Sequence, residues 1–131
     1  MSKAIDRIYL HEAVEKALGY SQIVKAGGFL FLSGVTALQA DMSVAYPGDL
    51  AGQLRHSYEV AAALLAEHGL AMDQIVDEVV FTRDMDTLLQ HVDVRKSFYP
   101  GEKYPAATAV EVTKFAVPDL LIEIKLVAYA G

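Results

Sequence analysis

The chain has 131 residues, a formal charge of −6, no cysteine, 53% apolar and 21% charged residues. This is the composition of one globular domain over residues 1–131; it excludes disulfides, thiolate catalysis and thiolate metal sites, and its acidity argues against a nucleic-acid surface. No apolar run approaches the roughly 18 residues of a membrane span and no secretory pattern opens the sequence, so a soluble cytoplasmic protein without a membrane partner is expected.

Residues 1–18 read as a variable N-terminal segment, with an edge strand over Ala4–Leu10 and a short helical turn over His11–Leu18 closed by Gly19. Ile23-Val24-Lys25 and Phe29–Val35 flank Gly27-Gly28, a hairpin signal because both turn positions accept positive φ. Phe29–Val35 has no charge and no clean alternation, which predicts a strand covered on both faces. Ala37–Pro47 forms a loop. Asp49 is the expected N-cap of a helix running to about His68, with Gly69 beyond its end. Leu50, Leu54, Tyr58, Ala61 and Leu65 make its apolar stripe, while Gln53, Arg55, Glu59 and Glu67 fall away from it.

Ile75–Thr82 reads as the next strand, and Asp84 or Asp86 as the cap of a second helix ending near Tyr99, before Pro100-Gly101. Two further β-type runs, Tyr104–Val112 and Leu120–Tyr129, are separated by a loop that includes Pro118-Asp119. The order is β-β-α-β-α-β-β, an α+β fold with strands grouped as hairpins and two helices sharing one face of the sheet. Phe29, Leu30, Phe31 and Leu32 exceed what two helices can cover, so the surplus apolar face should seal against a second copy.

Glu123 stands between Ile122 and Ile124. Its carboxylate either faces water on the polar side of the strand or lies in an apolar pocket with a raised pKa, ready to move protons. Arg95 shares a helical face with Leu88, Val92 and Tyr99, where a guanidinium must snorkel, pair with a core carboxylate, or hold an anionic ligand. His11, His56, His68 and His91 include no i,i+4 pair, so no metal site is expected. Ser33 has no histidine near it in sequence to act as its base; Ser33-Gly34 more readily offers backbone N–H groups. Lys103 and Tyr104 are weaker rim candidates.

Several ordered pieces resemble the Rid family, also called YjgF or L-PSP endoribonuclease-like. They are Gly19-Tyr20-Ser21-Gln22, Leu32-Ser33-Gly34, Phe81-Thr82-Arg83-Asp84-Met85, Pro105-Ala106 with Ala109-Val110-Glu111-Val112, and Ile122-Glu123-Ile124. The resemblance implies a chorismate-mutase-like homotrimer whose sheets meet in a central barrel, with ligand sites in the clefts between subunits. It implies enamine/imine deaminase activity on 2-aminoacrylate-type products, without cofactor. In such enzymes an arginine clamps the ligand carboxylate, a glutamate near the C-terminus serves the attacking water, and a tyrosine lines the cleft.

Tyr20 and Glu123 occupy the tyrosine and glutamate positions. The clamp position is Ala107, a small polar or cysteine position is Ala109, the helix asparagine falls on Val92, and a common helix tyrosine falls on Arg95. The loop from Ala109 to Glu123 is one residue longer than in the archetype. Losing a bidentate guanidinium–carboxylate pair from a desolvated site costs about 2–5 kcal/mol. The expected substrate is therefore an enamine or imine other than 2-aminoacrylate, for example an aminomuconate-like intermediate, with Arg95 as a relocated clamp. The alternative is a non-catalytic trimer that binds a metabolite or regulates a partner. RNA cleavage is disfavoured by the charge and by the absence of aromatic–basic interleaving.

Overall fold

The computed structural model describes residues 4–131. Its elements are β1 (Asp6–Ile8), α1 (Glu12–Leu18), β2 (Ile23–Ala26), β3 (Phe29–Val35), α2 (Leu50–Ala66), β4 (Ile75–Thr82), α3 (Met85–Gln90), α4 (Val92–Lys96), β5 (Ala106–Glu111) and β6 (Ile122–Tyr129). The six strands form one sheet in the order β1-β2-β3-β6-β4-β5. All neighbours are antiparallel except β4 and β5, which run parallel. This is the expected α+β architecture, with one change of connectivity. β5 and β6 do not pair with each other. β6 inserts between β3 and β4, leaving β5 at the sheet's edge.

The two local signals that were most explicit in the sequence form as read. Gly27 and Gly28 both take positive φ, at 56° and 83°, and join β2 to β3. Asp49 adopts extended backbone, and its Oδ1 accepts the Gly52 N–H at 2.9 Å, capping α2. Every residue of the predicted stripe is buried, with Leu54, Tyr58, Ala61 and Leu65 at 0% exposure. Stripes of this kind supply about 1.5–3 kcal/mol for each large apolar side chain removed from water, and here they fasten α2 across β3 and β6.

Four expectations change. Gln53 does not turn away from the core: it is fully buried, its Nε2 donating to Tyr46 O (3.2 Å) and Asp119 O (3.0 Å) while Oε1 accepts from Leu121 N (2.8 Å). A polar residue in the stripe is tolerated because it satisfies the backbone at the entrance to β6. The second helix is broken at His91 (φ −120°, ψ 27°) into α3 and α4. Val92 is consequently 39% exposed rather than central to an apolar face, while Leu88 and Tyr99 stay buried. Asp84 is the cap of α3, accepting the Thr87 N–H at 3.1 Å. β3 alternates after all: Leu30 and Leu32 are buried against α2, whereas Phe29 and Phe31 remain 38% and 39% exposed on the opposite face.

That opposite face carries an aromatic group. Phe29 lies 6.3 Å from Phe31 and 5.1 Å from Tyr129, measured between ring centroids. The sheet therefore has one face covered by helices and one open apolar face.

Candidate functional site

The open face carries the first cluster. Alternation along β6 puts Ile122, Ile124, Leu126 and Ala128 into the core, so Glu123 and Lys125 point to the other side. β3 meets β6 with Leu32 opposite Leu126 and Val35 opposite Ile124, so Ser33 and Gly34 together face Lys125 in a bulge. Glu123 lies across this bulge. A Cβ on Gly34 would stand 2.6 Å from the Glu123 carboxyl carbon, so only glycine leaves room for the carboxylate.

The Glu123 carboxylate accepts no hydrogen bond from the described residues. Burial pushes its pKa above the ordinary value, and the Lys125 ammonium partly opposes that shift. Lys125 is itself held by a 3.2 Å bond to Leu32 O. Tyr20 stands nearby and is 43% exposed; burial, then the charges of Glu15 and Glu123, raise its pKa. Tyr20 and Gly34 line one small cleft together with His11 and Gln22.

The loop bearing Tyr20 is fixed by Glu15, which is buried at 1% exposure. Its carboxylate accepts from Gln22 N (2.7 Å), Leu10 N (3.0 Å) and His11 N. Ser33 is less available than expected. Its N–H is spent on Gln22 O (2.8 Å) and its hydroxyl on Ser21 O (2.6 Å), so Gly34 is the half of the pair left for a ligand.

The second cluster sits on the helical face. Parallel register places Glu78 beside Ala107 and Val80 beside Ala109. Val80, Leu88, Leu89, Val92, Arg95, Ala107, Thr108 and Ala109 enclose a pocket of about 180 Å³. Arg95 and both alanines of the family's site pattern thus share one cavity. Arg95 pairs with a core carboxylate, Glu78, whose side chain is completely buried. Arg95 Nε donates to Glu78 Oε1 at 2.6 Å, and Nη2 lies 2.5 Å from the same oxygen without hydrogen-bond alignment. Tyr99 donates to Oε2 at 3.0 Å, and Tyr58 donates to that oxygen as well.

Burial works against the Arg95 charge, but the Glu78 carboxylate, with Tyr58 and Tyr99, more than offsets it and the pKa is raised. Burial and then the same carboxylate push both tyrosine hydroxyls far above their usual range. The Arg95 guanidinium also lies over the Tyr99 ring at 5.2 Å. Lys103 pairs with Asp73 at 3.6 Å, and Tyr104 stacks edge-on against Tyr99.

Two residues of these clusters escape a reading by family pattern alone, Lys125 and Glu78. Both had a signal. Glu123 and Lys125 are two apart on a strand and must share a face. Asp77 and Glu78 are adjacent on β4 and must point to opposite faces, so one acid had to enter the core. Within one chain Glu123 and Arg95 stand on opposite faces of the sheet and cannot touch the same small molecule. Among the described residues no group of three His, Asp or Glu side chains is arranged to hold a metal ion, and no helix is long and apolar enough to cross a membrane.

Comparison with known proteins bears on the family and the fold. The sequence profile of the family described as Endoribonuclease L-PSP matches residues 10–130. A RutC family protein of Pyrococcus horikoshii is 34% identical over 119 residues, covering 90% of this chain and 93% of its own. A Yersinia pestis protein described as a member of the conserved Rid family superposes with a TM-score of 0.83 at 26% identity, over 96% of this chain and 99% of its own. Escherichia coli TdcF, solved with bound serine, gives 0.74 at 27% identity, over 86% of this chain and 88% of its own.

Proposed function

This chain belongs to the Rid (YjgF, endoribonuclease L-PSP) family, and from that premise we propose that it is a deaminase-type hydrolase of small enamines or imines other than 2-aminoacrylate. The observation that carries the reading is Glu123: a half-buried carboxylate without a hydrogen-bond partner among the described residues, lifted in pKa by burial, beside Tyr20 and over the Gly34 bulge. A carboxylate in that state is suited to take a proton from water near neutral pH.

In the reaction the enamine first tautomerises to its imine. Water then adds to the C=N carbon, forming the C–O bond, as Glu123 accepts the water proton. That proton passes to the imine nitrogen, giving a neutral carbinolamine. The proton of the new hydroxyl then moves to nitrogen through Glu123, the C–N bond breaks, and ammonia leaves as the C=O bond forms. Tyr20 contacts the ligand, Lys125 keeps Glu123 from staying protonated, and backbone N–H groups at Gly34 and on the free edge of β5 meet the developing charge.

Because Glu123 and the Arg95–Ala107–Ala109 pocket lie on opposite faces, the complete site needs a second copy, whose β5 edge docks against the open face of the first. Phe29, Phe31 and Tyr129 supply the apolar surface for such docking, and three copies close the ring that the family resemblance implies. The bound serine in TdcF supports a small-molecule cleft of this kind. Sedimentation showing a stable monomer at micromolar concentration would sink the shared site. The charge of −6 argues against RNA as substrate.

The deciding assay is ammonia release from a panel of enamines and imines generated in situ, including 2-aminoacrylate. Wild type should accelerate at least one member other than 2-aminoacrylate, and Glu123→Ala should abolish it. Ala107→Arg should gain activity on 2-aminoacrylate. If nothing in the panel is turned over, or Glu123→Ala retains the rate, the reaction is refuted. The second reading, a trimer that binds a metabolite without turnover, is favoured by one observation: Ala107 and Ala109 bring no polar side chain to the pocket.

A further inference from the structure

Building on the intersubunit cleft proposed above, we infer that its β5 end accepts ligands with no carboxylate, and that Glu78 sets this specificity by holding the charge of Arg95. Among the described residues, Arg95 is the only charged side chain on the wall of the 180 Å³ pocket; the rest of that wall is mainly aliphatic. The guanidinium is not an open cation. Nε donates to Glu78 Oε1 at 2.6 Å, Nη2 pairs in charge with the same oxygen at 2.5 Å without hydrogen-bond alignment, and Glu78 has no other cation partner among the described residues.

The lock has a second layer. Tyr58 and Tyr99 both donate to the other oxygen of Glu78, and the Tyr99 ring lies against the guanidinium. Glu78 therefore cannot rotate away to release Arg95 without abandoning two buried hydroxyls. An incoming carboxylate would have to share one guanidinium with Glu78 and would meet a like charge directly behind it. A neutral carbonyl meets no such conflict. Arg95 Nη1 has no protein acceptor among the described residues and can donate to an amide, ester or ketone oxygen. The aliphatic wall then suits a short uncharged body.

The ligand class is thus an uncharged enamine or imine bearing a carbonyl acceptor. The dicarboxylate of an aminomuconate-like compound, one expectation from the sequence, does not fit this end of the cleft.

The test is binding of an unreactive matched pair, crotonamide and crotonate, to the intact chain by NMR titration. Wild type should prefer the amide by about tenfold or more, the discrimination expected when a charged group is left poorly paired. Ala107→Arg, on the exposed edge strand, should reverse the preference. Glu78→Gln, its folding checked by its amide NMR spectrum, should move the ratio about tenfold toward crotonate. Wild type binding crotonate as tightly as crotonamide, or binding neither, overturns the inference. So does a folded Glu78→Gln whose ratio is unmoved; if that variant does not fold, wild type and Ala107→Arg decide. Ammonia release separates this result from the proposed reaction. Amide preference without turnover of any enamine leaves the inference standing and the reaction refuted. Turnover of 2-aminoacrylate as fast as 2-aminoacrylamide leaves the reaction standing and the inference refuted.

Discussion

Replacing Arg95 by methionine keeps an unbranched apolar stem and removes the only cation among the described residues that meets Glu78, a carboxylate with 0% exposure. Breaking one side of a buried pair costs about 3–5 kcal/mol, and two facts place this case at the lower end. Tyr58 and Tyr99 still donate to the carboxylate, and the Arg95 side chain is 20% exposed, so solvent already screens part of the interaction. A loss of about 3 kcal/mol is expected. At about 2.1 cal/mol/K per residue, a chain of 131 residues unfolds with an entropy near 0.28 kcal/mol/K, which converts that loss to a fall of about 11 °C in Tm. Scanning calorimetry at fixed protomer concentration reads it, since association would otherwise shift the midpoint. Adding Glu78→Gln to Arg95→Met should recover much of the fall, because the stranded charge is then gone. A single-variant shift below about 3 °C, or a double variant no better than Arg95→Met, would show that the guanidinium is a solvated surface group and refute the reasoning.

Further outcomes follow from the Glu123 side of the site. Gly34→Ala should leave Tm within about 4 °C, because the clash falls on the mobile end of Glu123. Displacing that carboxylate should nevertheless lower ammonia release by about 100-fold, and an unchanged rate would place the chemistry elsewhere. In pH profiles, Glu123 must be ionised to accept a proton, so activity should fall as pH drops through a pKa raised above 4.5. Lys125 lowers that pKa, so Lys125→Met should move the limb to higher pH. The linked stability has the opposite sense. Ionising a carboxylate whose folded pKa is raised destabilises the fold as pH rises, so Glu123→Gln should gain on wild type between acidic and neutral pH.

The parts of the fold legible in the sequence were those written in short-range rules. Gly27-Gly28 needed positive φ, Asp49 needed an N–H three residues on, and Leu50 to Leu65 kept helical period long enough to fix a face. What escaped depended on partners distant in sequence. Gln53 looked outward-facing until Asp119 and Leu121, more than 60 residues away, appeared as its hydrogen-bond partners. A single non-helical residue at His91 breaks a helix too short for the break to register in its periodicity. β5 and β6 looked like a hairpin by adjacency, but the long connection lets β6 pair with β3 and β4 instead.

The site divides along the same line. Tyr20, Gly34 and Glu123 were legible and stand near one another, although the bulge that brings Gly34 against Glu123 was not. The ion pair of Arg95 was open as one of several fates, and its partner went unnamed because Glu78 lies in a strand with no chemical motif around it.

The placing of Glu123 and the β5 pocket on opposite faces of one sheet has a genetic consequence. In a ring where each cleft takes one face from each of two neighbours, no chain owns a complete site. A defect in Glu123 and a defect at Ala107 would then complement each other when the two chains are mixed, since some clefts would draw a sound face from each. Selection acting on such a protein would see the pair of surfaces before it saw either residue alone.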